Sequence, residues 1–185
     1  PGYTVDKYAN LRCGYTYMFG HAGKKLLFMG QDFGQEREWS EERELDWFLL
    51  GEDLNKGLLE YVKELLSIYR KYPCMYEFDN CWDGFEWLNC DDKDRSTYSF
   101  YRKASNGRNN LLFVINMTPI AWEDYKLGVP KKKKYKLLLC SGEERFGGNG
   151  CTIPKEVAAV KDYCDYKDYS ITFDLPAYAA AIFVF

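Results

Sequence analysis

The chain has 185 residues, 46% of them hydrophobic and 18% aromatic, which is enough to bury a core in one large or two small units. With 25 basic against 28 acidic residues the formal net charge is −3, so no global field exists of the kind that draws in nucleic acid. No apolar run reaches the about 18 residues of a membrane-crossing helix, so no membrane partner is expected.

In chain order, Thr4 to His21 reads as a helix. Thr4 is the candidate cap, and Tyr8, Leu11, Tyr15 and Met18/Phe19 recur on one face before Gly20 and Gly23 end it. Leu26-Leu27-Phe28-Met29 between Gly23 and Gly30 is a short continuous apolar run, the pattern of a strand buried on both faces of a parallel sheet. Such a strand needs parallel neighbours reached by long crossovers, and the rest of the chain offers no second run of that kind, which points to a piece of a longer protein. An acidic, aromatic loop follows. A second helix is expected from about Leu54 to Tyr72, with Asp53 or Asn55 as cap, a face of Leu58, Tyr61/Val62, Leu65/Leu66 and Tyr69, and Pro73 as its stop.

After Pro73 the pattern changes to strands at Phe85–Leu88, Thr97–Arg102, Leu111–Met117, Asp124–Val129, Tyr135–Cys140, Ser170–Leu175 and Tyr178–Phe185. Turn formers such as Ser105-Asn106-Gly107 and Gly147-Gly148-Asn149-Gly150 separate them. About seven strands of this kind make an antiparallel sandwich, joined to the helical part by a packed junction near Pro73 to Cys81.

The candidate chemistry is concentrated after the Leu26–Met29 run, where ligands sit in parallel α/β folds. Asp32 stands there with Gln35, Trp39 and Trp47. A carboxylate so placed serves acid–base work or sugar-hydroxyl binding, and serves equally as a cap or ion-pair partner. Glu36, Glu38, Glu41, Glu42 and Glu44 could supply a second carboxylate for glycoside chemistry, but interleaved with Arg37 and Arg43 they read more simply as a solvated loop. His21 is the single histidine, which leaves no members for a multi-histidine metal site or a Ser-His-Asp arrangement. The glycine cluster at 147–150 lacks a following Lys-Ser/Thr and is a turn, and Lys131 to Lys134 read as a solvated loop or strand end. The 7 cysteines form no C-x-x-C pair and imply neither zinc nor a disulfide framework; reduced thiols favour a cytoplasmic origin.

Several blocks together resemble the C-terminal part of bacterial α-1,4-glucan branching enzymes of the α-amylase superfamily. They are Tyr8-Ala9-Asn10-Leu11-Arg12, the run from Gly23 to Phe33, Arg37-Glu38-Trp39, Leu45-Asp46-Trp47, Gly84-Phe85-Glu86-Trp87, the run from Val114 to Pro119, Gly128-Val129-Pro130 and Arg145-Phe146-Gly147-Gly148. Two positions depart from the family pattern: Asp32 stands where Glu is usual, and Ala22 where Pro is common. The resemblance implies an α+β chain, with residues 1–73 the helix-strand-helix end of a catalytic (β/α)8 barrel and residues 74–185 an antiparallel all-β sandwich. It implies an enzyme that cuts an α-1,4 linkage, holds the glucan covalently and transfers it to a 6-hydroxyl, with no cofactor or metal. The Asp nucleophile, Glu acid/base and second Asp of that chemistry lie in motifs upstream and are not found here, so the chain alone is expected to be inactive. Asp32, Gln35, Trp39 and Trp47 are then the expected glucan contacts, with packing against the barrel rim the competing role for both tryptophans and the favoured one for Trp47.

Two rivals stay open. One is a non-catalytic module binding starch or glycogen through Trp82, Trp87 and Trp122, and the other an autonomous hydrolase using Asp32. An uncovered barrel remnant is also expected to promote self-association.

Overall fold

The computed structural model describes residues 2–185, with Pro1 outside the described residues. Helix α1 runs Thr4–Gly20 and helix α2 Asp53–Lys71. Eight antiparallel strands follow: β1 (Phe85–Asp92), β2 (Thr97–Arg102), β3 (Leu111–Asn116), β4 (Trp122–Val129), β5 (Lys134–Cys140), β6 (Glu156–Ala158), β7 (Tyr169–Leu175) and β8 (Ala180–Val184). Six form one sheet in the order β1-β2-β3-β8-β5-β6, and β4 pairs with β7 in a second. The seven expected strands are present with ends shifted by a few residues. β6 was not legible, because its three residues carry a single buried side chain, Val157.

The six-stranded sheet is covered on both faces at its centre. On β3, Leu112 and Val114 join the core shared with β4 and β7, whereas Leu111, Phe113 and Ile115 face the helices. On β8, Ala181 and Phe183 take the first side and Ala180 and Ile182 the second. Their runs are therefore continuously apolar, the signature of strands with no wet face. The result is three layers: helices, long sheet, short sheet.

The helices meet this sheet by different means. Asp6 in the first turn of α1 accepts a hydrogen bond from the Tyr3 backbone at 3.2 Å, so the cap is Tyr3 and not Thr4. Its buried face is Tyr8, Arg12, Cys13, Thr16 and Phe19, while Leu11, Tyr15 and Met18 are only half-buried. Arg12 wins a core position because Nε donates to the Ser141 carbonyl and Nη1 to that of Phe146, each at 2.8 Å. α2 buries Leu58, Tyr61, Val62 and Leu65, as its periodicity predicts, but its last turn buries Ile68 and leaves Tyr69 half-buried and Leu66 exposed; Pro73 follows its end. Its N-cap is Glu52, so neither expected cap residue plays that part.

At the seam between helices and sandwich sits Arg102 of β2, fully buried. Its guanidinium donates to the carbonyls of Gly84, Gly20, His21 and Met75 at 3.1 to 3.2 Å and to Asp79 at 2.8 Å. One side chain thereby satisfies the end of α1, the turn after α2 and the entry to β1. No helix among the described residues is long and apolar enough to cross a membrane.

The expected buried strand at Leu26–Met29 is a correction. Among the described residues it pairs with no strand; Leu26 is 76% exposed and Phe28 49%. Without a neighbouring backbone the Phe28 N–H bonds to Gln31 Oε1 at 2.9 Å, and Met29 (φ 28°) and Gly30 (φ 86°) turn the chain instead of extending it. An apolar run specifies burial, and pairing requires a partner strand that these residues lack.

Candidate functional site

Residues 24–52 form a long loop braced from within. Gly30 and Gly34, both left-handed, bracket a 3₁₀ turn at Gln31–Phe33 that drives Phe33 into the core beside α2. Asn55 of α2 locks this turn by donating to the Phe33 carbonyl at 2.7 Å, which explains why an amide is buried in a helix face. From α1, the Tyr15 hydroxyl donates to the Gln31 carbonyl at 2.5 Å. Burial, and then the Asp32 charge, push the Tyr15 phenol up to about 12, so it stays a donor across the physiological range.

The outer half of the loop is closed by Gln35 and Arg37. Gln35 Oε1 accepts from the Asp46 backbone at 2.8 Å while Nε2 donates to the Arg37 carbonyl at 3.1 Å, so its amide is spent on bracing. Arg37 makes a forked pair with the largely buried Asp46 carboxylate, Nε donating at 2.8 Å and Nη2 to the other oxygen. This hydrogen-bonded guanidinium holds Asp46 below the ordinary carboxylate range.

These braces shape a shallow cleft of about 410 Å³ bounded by Phe28, Met29, Gln35, Glu36, Arg37 and Trp39. Trp39, 42% exposed, meets Phe28 edge-on with ring centroids 5.4 Å apart. Of the four residues singled out from sequence, Gln35 and Trp39 are brought together here. Asp32 is half-buried in the 3₁₀ turn outside the cleft wall, and Trp47, 52% exposed, lies with its ring centroid 5.3 Å from that of Phe33. Phe28, Met29 and Arg37 were missed as cleft residues. Phe28 and Met29 were assigned to a buried strand, and the Arg37–Asp46 pair spans a loop with no periodicity to reveal it.

The remaining candidates resolve simply. Glu36, Glu38, Glu41, Glu42 and Glu44 are exposed, as a solvated loop requires. The His21 ring lies among aromatics, 4.8 Å from Phe85 and 5.9 Å from Trp87. The 147–150 segment is a turn closed by Gly150 N–H donating to the Gly142 carbonyl at 2.8 Å. Lys131 to Lys134 are exposed, the first three in the β4–β5 connection and Lys134 at the start of β5. Among the described residues no cluster of three or more His, Cys, Asp or Glu could hold a metal ion.

Residues 87–185, covering β2 to β8 and most of β1, match the family described as alpha amylase, C-terminal all-beta domain. The chain belongs to this family. With the helices included, all 185 residues align at 68% identity with a 1,4-alpha-glucan branching enzyme from Butyrivibrio fibrisolvens, and 98% of the chain aligns at 39% identity with one from Geobacillus stearothermophilus. The alpha-amylase-type chain thus corresponds to the C-terminal part of a glycogen branching enzyme, and spans 29% and 28% of those two proteins. Among solved structures, an alpha-amylase from H. orenii shares the fold at TM-score 0.58 and 17% identity over 95% of this chain and 35% of its own. An isomaltulose synthase from Klebsiella sp. LX3 does so at 0.61 and 11%, over 95% and 38%.

Proposed function

We propose that the chain is the closing portion of a 1,4-α-glucan branching enzyme. Residues 1–73 are then the end of its catalytic (β/α)8 barrel, and residues 74–185 a sandwich that buttresses it. The observation that carries this is the loop 24–52. Leu26, Phe28, Met29, Trp39, Trp47 and Phe48 are all between 42% and 76% exposed, on a loop that Gln35, Arg37–Asp46 and Asn55 hold in one shape. Pre-formed apolar surface of this kind suits burial against a partner. In this reading Leu26–Met29 gains its missing strand neighbours from the rest of the barrel, and the Trp39 cleft forms part of the glucan groove. Trp39 stacks on sugar, Asp32 and Gln35 order the loop or meet hydroxyls, and Trp47 supports the rim.

The reaction is the one in the relatives' name, building branches on an α-1,4-glucan, with the reacting carboxylates supplied from outside these residues and no cofactor required. The setting is cytoplasmic. Taken alone, the chain self-associates through the uncovered loop face. The test is the longer enzyme on amylose. New α-1,6 linkages detected by proton NMR, a kcat/KM lowered about tenfold or more in Trp39→Ala, and no turnover by the 185-residue chain support the reading. Turnover by the short chain that Asp32→Asn abolishes would overturn it in favour of an autonomous hydrolase.

A further inference from the structure

Cys140, the last residue of β5, and Cys151, just beyond the 142–150 turn, are both free thiols that the fold brings together. The turn between them is closed on itself. Gly150 N–H donates to the Gly142 carbonyl at 2.8 Å, and a Cβ on Gly142 would stand 2.8 Å from the Gly150 carbonyl oxygen and 3.8 Å from Cys140 Sγ. The residue before Cys151 therefore lies across a single glycine from the Cys140 sulfur. No side chain separates them there, and the two thiols share a hydrogen bond.

The two sulfurs are not equivalent. Cys140 is fully buried in the core between the sheets, and the neighbouring thiol together with burial pushes its pKa up. Cys151 is half-buried, and the hydrogen bond from Cys140 outweighs burial and holds its thiol below the ordinary range. The Glu143 charge opposes that ionisation, but its carboxylate is engaged by Arg145 Nε at 2.8 Å and by the Cys140 N–H at 3.2 Å. Access favours the same sulfur. Gly150 and Thr152, on either side of Cys151, line a cleft of about 240 Å³ with Gly142, Asn149 and Tyr178, which gives a small molecule a way in. Cys13 and Cys74, by contrast, are buried, and burial pushes their thiols up to about 12.

We propose that Cys140 and Cys151 form a reversible dithiol–disulfide site, oxidised by a small-molecule disulfide, whose closure staples the turn on which both helices dock. The Cys151 thiolate attacks one sulfur of the oxidant, forming a mixed disulfide and expelling a thiolate. Cys140 then gives up its proton and attacks Cys151 Sγ, which breaks the mixed disulfide and releases the second thiol. Two protein thiols lose two electrons and two protons, and the oxidant becomes two thiols. The ring so closed holds Ser141 and Phe146, whose carbonyls accept from Arg12 of α1, and the Phe146 main chain that faces Gly57 of α2. Reducing surroundings keep the pair open.

The test uses the 185-residue chain with Cys81→Ser and Cys90→Ser, which removes exposed thiols, treated with oxidised glutathione and mapped as peptides without reduction. The expected result is a linked pair of peptides containing Cys140 and Cys151, reversed by dithiothreitol, with the melting temperature of the oxidised form raised by about 5 °C. Cys140→Ser is expected to stop at a glutathione adduct on Cys151. Cys151→Ser, at the more accessible position, keeps the test open where the buried variant fails to fold, and is expected to leave Cys140 unmodified. No reaction at Cys151, an adduct there that never resolves into the 140–151 link, or a link between other cysteines would overturn the site. A 140–151 link with an unchanged or lowered melting temperature would overturn the stapling of the turn.

Discussion

Arg102 shows how one buried charge can organise a seam. Removing its guanidinium takes a donor from four main-chain carbonyls, of which Gly84 keeps the Lys103 N–H and His21 the Lys25 ammonium, and takes the 2.8 Å partner from the Asp79 carboxylate, which is 2% exposed. Arg102→Met is therefore expected to destabilise by about 3–5 kcal/mol in urea unfolding, and Arg102→Lys to recover little, because three donors on one nitrogen cannot reproduce the planar fork. A loss under about 1 kcal/mol in both would show the hub to be dispensable. The Arg37–Asp46 pair makes a pH prediction. Asp46 is held below its unfolded value, so its contribution is fully present above about pH 3.9 and is lost as pH falls through the folded pKa. Tryptophan emission, sensitive to the neighbouring Trp47, is expected to report an acid transition in that range for the wild type. In Asp46→Asn the transition is absent and the loop is already loosened at neutral pH; superimposable acid titrations would contradict this. Neither arginine's role was legible in sequence. A buried arginine depends on carbonyls at distant positions, Ser141 and Phe146 for Arg12, and no local spacing encodes those contacts.

At the scale of elements, α2 contains a contest between propensity and packing. Gly57 lies mid-helix, where alanine is ordinarily better by about 1 kcal/mol. A Cβ there would come within 2.6 Å of the Phe146 carbonyl carbon and 2.7 Å of its oxygen, backbone atoms held in place by Arg12. Packing wins, and Gly57→Ala is expected to lower stability by about 1–3 kcal/mol, read as a reduced urea midpoint at unchanged m-value. A raised midpoint would mean that the 146 turn yields. α2 and seven of the strands were readable to within a few residues, because each carries a period set by one buried face or a run set by two. Leu26–Met29 was not, because its composition describes an environment that the described residues do not provide. The family resemblance covered what periodicity could not, through blocks such as Arg37-Glu38-Trp39 whose meaning is not in their spacing.

Across the molecule, the helices and the sandwich share one apolar layer. Cys13, Phe19, Tyr61 and Leu65 pack with Phe100, Phe113, Ile115 and Ile182, so the junction near Pro73 is an interface and not a linker. A protein of residues 74–185 alone would expose that face of the long sheet. It is expected to bind hydrophobic dye and lose cooperative unfolding, whereas a melting transition matching that of the full chain would make the sandwich autonomous.

The loop 24–52 is the other whole-molecule feature, and the account turns on its apolar face being an interface with the remainder of a branching enzyme. Hydrogen–deuterium exchange of residues 24–52, compared between the 185-residue chain as dilute monomer and the longer enzyme, reads this directly. The account predicts that the Leu26, Leu27 and Phe28 amides exchange quickly in the short chain and become strongly protected in the longer one. Equal, fast exchange in both would contradict it.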